Sequence, residues 1–185
     1  MLVKVLVLSD CLLNLRFDNE KVDLNYYYVN NIEMNNCKGC FNCWRASKSQ
    51  GRCINSDISE QIREELIESD VVYIVSNVRY GGYSYPIKKV LDRMIPLIPP
   101  LFEIAQGKIR KLDIFNSYPR FEVIGVSDRL TREQEQIFRL LIEKNAYTFH
   151  SPSYSVDFTN NEKVNEKLQI LLDEYNHQVG GDYED

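Results

Sequence analysis

The sequence begins with a short and almost wholly apolar run, Leu2-Val-Lys-Val-Leu-Val-Leu8. Branched side chains dominate it and a single lysine interrupts it, a pattern typical of a strand buried on both faces of a parallel sheet. Val71-Val-Tyr-Ile-Val75 and Phe121-Glu-Val-Ile-Gly-Val126 repeat this pattern. Two longer segments, 22–29 and 147–158, are more polar and aromatic, as edge strands can be. Together these segments predict a five-stranded sheet.

Helical patterns lie between the predicted strands. Capping boxes at Asp57-Ile-Ser-Glu60 and Thr131-Arg-Glu-Gln134 each precede apolar residues at helical spacing. A third helix is predicted to begin at Ser84-Tyr-Pro86, and a fourth has its apolar stripe within residues 164–175. Strands and helices that alternate in this way imply βαβ crossovers and a sheet covered by helices on both faces. We therefore expect the α/β class.

Two connections depart from this alternation. Residues 101–113 alternate around Ala105-Gln-Gly-Lys108, which predicts a small hairpin inserted ahead of the fourth strand of the sheet. The first crossover, from near Ser9 to near Val22, has only about a dozen residues, close to the minimum for a parallel connection. We expect its helix to be little more than a stub.

Composition excludes several classes of protein. A length of 185 residues suits a single domain over 1–185, with residues 180–185 as a frayed acidic tail. The 22 basic residues against 27 acidic ones leave a net charge of −5, which disfavours a nucleic acid partner. No apolar run is long enough to span a membrane, and the amino terminus lacks the layout of a signal peptide. These features predict a cytoplasmic protein.

Four of the five cysteines are concentrated in one segment. Cys37-Lys-Gly-Cys40-Phe-Asn-Cys43 is a run with two-residue spacers, and Cys53 follows ten positions later. In a reducing cytoplasm such a group indicates metal or redox ligands before disulfides. The run is similar to the cluster-binding loops of ferredoxins, so the four residues are candidate ligands of a [4Fe-4S] cluster. Two alternatives stay open, a loop of small buried thiols and a zinc site.

A second candidate site follows a buried strand. Ser76-Asn-Val-Arg-Tyr-Gly-Gly-Tyr-Ser84 connects the strand at 71–75 to the helix that begins with Pro86. In an open parallel sheet, ligands bind in the crevice beyond the carboxyl ends of the strands. Glycines allow close backbone approach there, and tyrosines offer flat faces. The alternative is that the Gly-Gly pair merely makes the turn.

Five segments, taken in order, are similar to those of a known family: Asn36-Cys-Lys-Gly-Cys-Phe-Asn-Cys-Trp44, Gly51-Arg-Cys53, Ser69-Asp70, Gly81-Gly-Tyr-Ser84 and Lys88-Lys-Val-Leu-Asp-Arg93. With them the chain resembles the NAD(P)H-dependent FMN reductases and iron-sulfur flavoproteins of the flavodoxin-like superfamily. The resemblance extends over about residues 30–158. It implies a parallel sheet in the order 2-1-3-4-5, FMN at the carboxyl ends of the strands, a nicotinamide or protein electron donor, and dimers or larger oligomers.

The resemblance also implies which residues bind FMN. One group would lie against the isoalloxazine ring: Ser76, Asn77, Val78, Arg79, Tyr80, Gly81, Gly82 and Tyr83. Another would hold the phosphate: Ser9, Cys11, Leu12 and Asn14.

The phosphate segment departs from the family pattern. It has leucines where hydroxyl groups are usual, and Asp10 brings a charge of the same sign as the phosphate. The expected activity is FMN-dependent electron transfer with weak FMN binding. The alternative is a flavin-free binding or thiol-sensing module.

Overall fold

A computed structural model describes residues 2–16, 22–45, 52–105, 107–112 and 114–178. The strands of this part of the chain are β1 (Val3–Ser9), β2 (Val22–Tyr28), β3 (Val71–Asn77), β4 (Phe102–Ala105), β5 (Lys108–Lys111), β6 (Arg120–Val126) and β7 (Tyr154–Thr159). Its α-helices are α1 (Ser59–Glu68), α2 (Tyr85–Asp92), α3 (Arg132–Thr148) and α4 (Val164–Gln178). Short 3-10 turns occur at Val29–Asn31, Asn42–Trp44 and Ile95–Leu97.

Five of these strands form one parallel sheet in the order β2-β1-β3-β6-β7. Because β4 and β5 pair only with each other, the order within the large sheet is 2-1-3-4-5 when its own strands are counted. The predicted α/β class with a five-stranded parallel sheet is confirmed. The hairpin predicted within residues 101–113 is also confirmed, with β4 and β5 antiparallel.

Apolar side chains cover both faces of the sheet. On one face, Leu6 and Leu8 of β1 belong to a core that includes Ile62 of α1, Ile87 of α2 and Phe138 of α3. The other face packs mainly against α4.

On that second face, Val5 and Val7 of β1 share a cluster with Leu168 and Leu172 of α4. Leu13, from the short first crossover, is buried in the same cluster. No helix forms within residues 10–16, and residues 17–21 lie outside the described part. Within the described residues, a coil segment beside α4 therefore covers part of this second face of the sheet, where a stub helix was predicted.

The ends of the helices test the predicted caps. The capping box at Thr131 is confirmed, since Gln134 N donates to Thr131 Oγ1 at 3.2 Å and Thr131 N donates to Gln134 Oε1 at 3.3 Å. Ser84 caps α2 as predicted, its hydroxyl accepting from Ile87 N.

The capping box predicted at Asp57 is wrong. Asp57 instead accepts from the amide and hydroxyl of Ser59, because α1 begins only at that residue.

The predicted start of the last strand is also wrong. α3 continues to Thr148, with Ala146 buried against the core, and β7 begins only at Tyr154. The predicted tail at 180–185 lies outside the described residues. Among those described, no helix combines the length and apolar character needed to cross a membrane.

Candidate functional site

The carboxyl ends of β1, β3 and β6 lie side by side at one edge of the sheet. Asp10 N donates to Val75 O at 3.2 Å, and Val78 N donates to Val126 O at 2.9 Å. The segments that leave this edge are named the β1 loop (residues 10–16), the β3 loop (residues 78–84) and the β6 loop (residues 127–130). Because a parallel sheet aligns its carboxyl ends, the three loops leave the edge at which such sheets form a ligand crevice.

Asp10 joins the β1 loop to the end of β3. Its side chain is buried, and its carboxylate accepts from Asn77 N at 3.0 Å and from Asn77 Nδ2 at 3.1 Å. The charge predicted to repel a phosphate is therefore bound to the neighbouring strand end. It fixes the relative position of the two loops.

Cys11 is a protonated thiol at neutral pH. Its sulfur lies 3.5 Å from Asp10 Oδ1 and 3.4 Å from Asn77 Nδ2. Burial, with a further contribution from the Asp10 carboxylate, raises the pKa of Cys11 to about 12. Because the thiolate is the nucleophilic form, this cysteine is not activated for covalent chemistry.

The β3 loop contains a tight turn that exposes a tyrosine. Arg79 N donates to Gly82 O at 2.9 Å, and Gly82 N donates to Arg79 O at 2.8 Å. Tyr80 and Gly81 between them have φ values of 53° and 79°, as the central residues of a type I′ turn do. Tyr80 is 94% exposed at this turn. A tyrosine held at positive φ is a conformation typical of functional turns.

Gly81 is the position in this turn that tolerates substitution least. A Cβ there would lie 2.8 Å from Ile137 Cγ2, and its positive φ strains any other residue. We expect Gly81→Ala to lower the free energy of unfolding by about 1–3 kcal/mol. Gly82→Ala is the matched control, because a Cβ there meets only Arg79 O at 3.4 Å. Urea unfolding of both variants checks this, and equal losses would contradict it.

A cavity of about 480 Å³ lies between the β3 and β6 loops. The residues that line it are Val78, Arg79, Tyr80, Ser127, Asp128, Arg129 and Gln134. The lining offers two guanidinium groups, a hydroxyl and an aromatic ring, and its one carboxylate, that of Asp128, accepts from Asn161 Nδ2 at 2.8 Å. This set suits a planar ligand that carries acceptors or negative charge. The sequence analysis missed Ser127, Asp128 and Arg129. They directly follow the buried strand 121–126, the same signal that indicated the β3 loop.

Several predicted FMN contacts lie beneath the crevice. Ser9 is buried and hydrogen bonded to the backbone of Cys11, and Ser76 Oγ accepts from Ser84 N at 3.0 Å. Tyr83 packs its ring on Phe138 inside the core, and burial raises its pKa. These side chains support the loops from below.

The remaining predicted contacts reach the surface or form the turn. Val78, Arg79 and Tyr80 line the cavity, Gly81 and Gly82 complete the turn, and Asn77 is bound to Asp10. Leu12 is 76% exposed at the surface of the β1 loop. Of the predicted ring-binding segment, three residues therefore line this cavity.

Five of the seven amides of the β1 loop already donate within the protein, namely those of Asp10, Cys11, Leu13, Asn14 and Arg16. Leu13 N donates to Tyr26 Oη at 3.0 Å, and Asn14 N donates to Asn165 Oδ1 at 2.7 Å. Arg16 N donates to Gln169 Oε1 at 3.1 Å. Phosphate recognition needs such amides, together with hydroxyl or cationic partners. The β1 loop therefore offers few free donors to a phosphate.

The four clustered cysteines form a second site. Cys37, Cys40, Cys43 and Cys53 all line one pocket of about 250 Å³. Burial raises the pKa of Cys43, and the nearby thiols of Cys53, Cys37 and Cys40 raise it further. Within the described residues, no group of three cysteine, histidine or carboxylate side chains is arranged to hold a metal ion. The donor set is nevertheless the one that an iron-sulfur cluster requires.

A buried ion pair holds both ends of the cysteine segment. Asp57 accepts from Asn35 N at 3.0 Å, just before the first cysteine, and from Arg93 Nη2 at 3.0 Å. Arg93 Nη2 also donates to Asn55 O at 3.1 Å, just after the last cysteine. Because Arg93 is buried in the core, this pair closes the base of the segment and limits how far the thiols can separate.

Aromatic contacts connect the cysteine segment to the hairpin. Phe41 stacks on Trp44 with ring centroids 4.7 Å apart, and Trp44 Nε1 donates to Ile95 O at 3.2 Å. Lys111 Nζ lies 5.2 Å from the Trp44 ring centroid and 3.9 Å from that of Phe102. The hairpin is therefore in contact with the segment that carries the thiols.

Comparison with known proteins finds no matching family model. Two curated relatives are each 31% identical to this chain: an iron-sulfur flavoprotein of Archaeoglobus fulgidus over 79 residues, and one of Methanocaldococcus jannaschii over 78 residues. The matches cover 43% and 42% of this chain. They span only 34% and 38% of the relatives' own lengths. The similarity in sequence is thus to iron-sulfur flavoproteins, as the cysteine segment and the β3 loop predicted.

Solved structures with the same fold are named as FMN enzymes. An FMN-dependent NADH-azoreductase of Bacillus anthracis, in complex with FMN, has a TM-score of 0.59 over 97% of this chain and 99% of its own. An NADH:FMN oxidoreductase in its apo form has a TM-score of 0.54 over 94% of this chain and 88% of its own. The identities are 8% and 7%, so the likeness establishes the flavodoxin-like fold alone.

Proposed function

We propose that this chain is an FMN-dependent redox protein of the NAD(P)H-dependent FMN reductase type, which takes electrons from a nicotinamide or a protein donor. The observation that carries the proposal is the cavity between the β3 and β6 loops. It lies at the carboxyl end of β3, which together with β1 forms the switch point where flavodoxin-like sheets bind FMN. The sequence similarity to iron-sulfur flavoproteins supports the same function.

The residues around the cavity have distinct roles in this proposal. Tyr80 would offer its exposed ring to the isoalloxazine, and the turn at 79–82 would bring its backbone close to the flavin. Arg79 and Arg129 favour negative charge on the bound ligand. The flavin supplies the hydride chemistry, while the protein binds it and orients it toward its donor.

The nicotinamide donor can be tested directly. Anaerobic addition of NADH or NADPH to FMN-loaded protein is expected to bleach the flavin absorption faster than that of free FMN, because the bound ring is held in a fixed position. The same nicotinamides with free FMN are the control. Bleaching that is no faster in the presence of protein would contradict the reductase proposal.

The cysteine segment is proposed to hold a [4Fe-4S] cluster through Cys37, Cys40, Cys43 and Cys53. This assignment is supported by the four thiols around one pocket. It is also supported by the buried ion pair of Asp57 and Arg93, which holds the base of the segment. A cluster there would accept or pass on single electrons.

The protein is further proposed to form a homodimer or a larger oligomer through its hairpin. Ile104 and Ile109 are 80% and 71% exposed, and Phe102 is also exposed. Apolar side chains placed together outside the core commonly mark an interface. Light scattering at micromolar concentration is expected to give at least twice the mass of one chain, and a monomeric mass would contradict this.

We place this protein in the cytoplasm as a single domain that binds neither nucleic acid nor membranes. All five cysteines are free thiols, as a reducing compartment maintains them, and the net charge is −5.

A second candidate function is a flavin-free binding or thiol-sensing module. The engaged amides of the β1 loop favour it, and purified protein that binds no flavin would support it.

A further inference from the structure

The β1 loop is bound by two amide side chains of α4. Asn165 Oδ1 accepts from Asn14 N at 2.7 Å, and Asn165 Nδ2 donates to Asn14 O at 3.2 Å. Gln169 repeats the arrangement on Arg16, accepting from its N at 3.1 Å and donating to its O at 3.0 Å. Each side chain thus satisfies both backbone groups of one loop residue.

The spacing of these contacts has a simple geometric cause. Asn165 and Gln169 are four positions apart on α4, so they project from one face of the helix about 6 Å apart. Asn14 and Arg16 are two positions apart in a non-helical segment, where the repeat of an extended chain is about 6.6 Å. The spacing of the two side chains on the helix therefore matches the spacing of alternate residues in the loop. The loop is paired with the helix as it would be with a neighbouring strand.

The charges beside the loop also disfavour a phosphate. A groove of about 420 Å³ runs between the loop and α4, and it is lined by Asn14, Arg16, Glu162, Asn165, Glu166, Gln169 and Ile170. Its two carboxylates outnumber its one guanidinium. The buried carboxylate of Asp10 lies at the start of the same loop. A phosphate dianion placed here would lose its hydration without gaining enough cationic partners.

We propose that Asn165 and Gln169 occupy the phosphate subsite of this fold, and that the protein therefore binds flavins through the ring and the ribityl chain without recognising the phosphate. Riboflavin and FMN then bind with similar affinity. This inference rests on the proposed flavin-binding function and specifies the class of flavin that the site accepts. A site with free loop amides would prefer FMN, since each charge-assisted hydrogen bond to a phosphate contributes about tenfold or more in affinity.

Titration by flavin fluorescence quenching tests the inference with FMN and riboflavin in parallel. For the unmodified protein we expect dissociation constants that agree within about threefold. In the double variant Asn165→Ala/Gln169→Ala the loop amides are released, so FMN is expected to bind about tenfold tighter while riboflavin is unchanged. The single variants serve the same purpose if the double variant does not fold.

Gln61→Ala is the matched control. Gln61 is an amide on α1, where its side chain bonds Tyr27 and Glu65 and does not reach the β1 loop. Neither flavin's affinity should change in this variant. If the unmodified protein prefers FMN by more than about thirtyfold, the inference is wrong and the flavin-binding proposal stands. If neither flavin quenches, both are wrong.

Discussion

Replacing Arg93 by methionine is expected to lower the free energy of unfolding by about 3–5 kcal/mol, because it leaves a buried carboxylate without its partner. The Arg93 side chain is fully buried, and its Nη2 lies 3.0 Å from Asp57 Oδ1. The same guanidinium donates to Ser59 Oγ and to Asn55 O. Its loss therefore removes several charge-assisted hydrogen bonds together.

Urea unfolding measures this loss, and a second pair on the same helix provides the control. Lys88 and Asp92 form an exposed ion pair on α2, so Lys88→Met should cost less than about 1 kcal/mol. The double variant Asp57→Asn/Arg93→Met should lose less than the sum of its two single variants, because it removes both charges. A loss below about 1 kcal/mol for Arg93→Met would contradict the assigned role of the pair.

The pH dependence of this contribution follows from Asp57. Burial alone would raise the pKa of Asp57, but hydrogen bonds from Ser59 and Asn35 outweigh it and hold the pKa below its ordinary value of 3.8. A carboxyl whose pKa is lower in the folded state adds stability above the unfolded value, and that stability is lost as the pH falls through the folded value. The difference in stability between the unmodified protein and Asp57→Asn should therefore shrink below about pH 4.

The second large effect concerns the cysteines. If the four thiols hold a [4Fe-4S] cluster, protein made and purified without oxygen contains iron and acid-labile sulfide, and Cys40→Ser is expected to lose both. An iron that loses its thiolate ligand no longer has a complete coordination shell. Cys11→Ser is the control, since Cys11 lies in the β1 loop and does not line the cysteine pocket.

Iron analysis and sulfide release measure this outcome. Iron-free protein from anaerobic, iron-supplemented expression would rule out the cluster. Thiols that all titrate with a thiol reagent in the unfolded protein would then support the alternative of an unligated loop.

The sequence predicted the sheet well because its signals are local. Val71-Val-Tyr-Ile-Val75 is apolar at every position, and burial on both faces of a parallel sheet requires exactly that composition in β3. The turn at residues 79–82 was likewise marked by its Gly-Gly pair. The cysteine spacing marked the four thiols as candidate ligands of one cluster, and all four line one pocket.

The features that the sequence did not predict depend on residues far apart in the chain. Asn14 is separated from Asn165 by 151 positions, and Asp10 from Asn77 by 67. No periodic pattern links such pairs, because they meet only after the sheet has formed. The same holds for Arg93, whose position directly after α2 gave no indication that it would bind Asp57 and Asn55.

The visible absorption spectrum of freshly purified protein, kept free of oxygen and supplied with FMN, tests the central claim most directly. We expect the absorption bands of a protein-bound flavin, shifted from those of the free cofactor because the ring lies against Tyr80 and the turn at 79–82. We also expect the broad visible absorption of an iron-sulfur cluster, which makes a protein brown. A colourless protein that takes up neither FMN nor riboflavin would contradict the account.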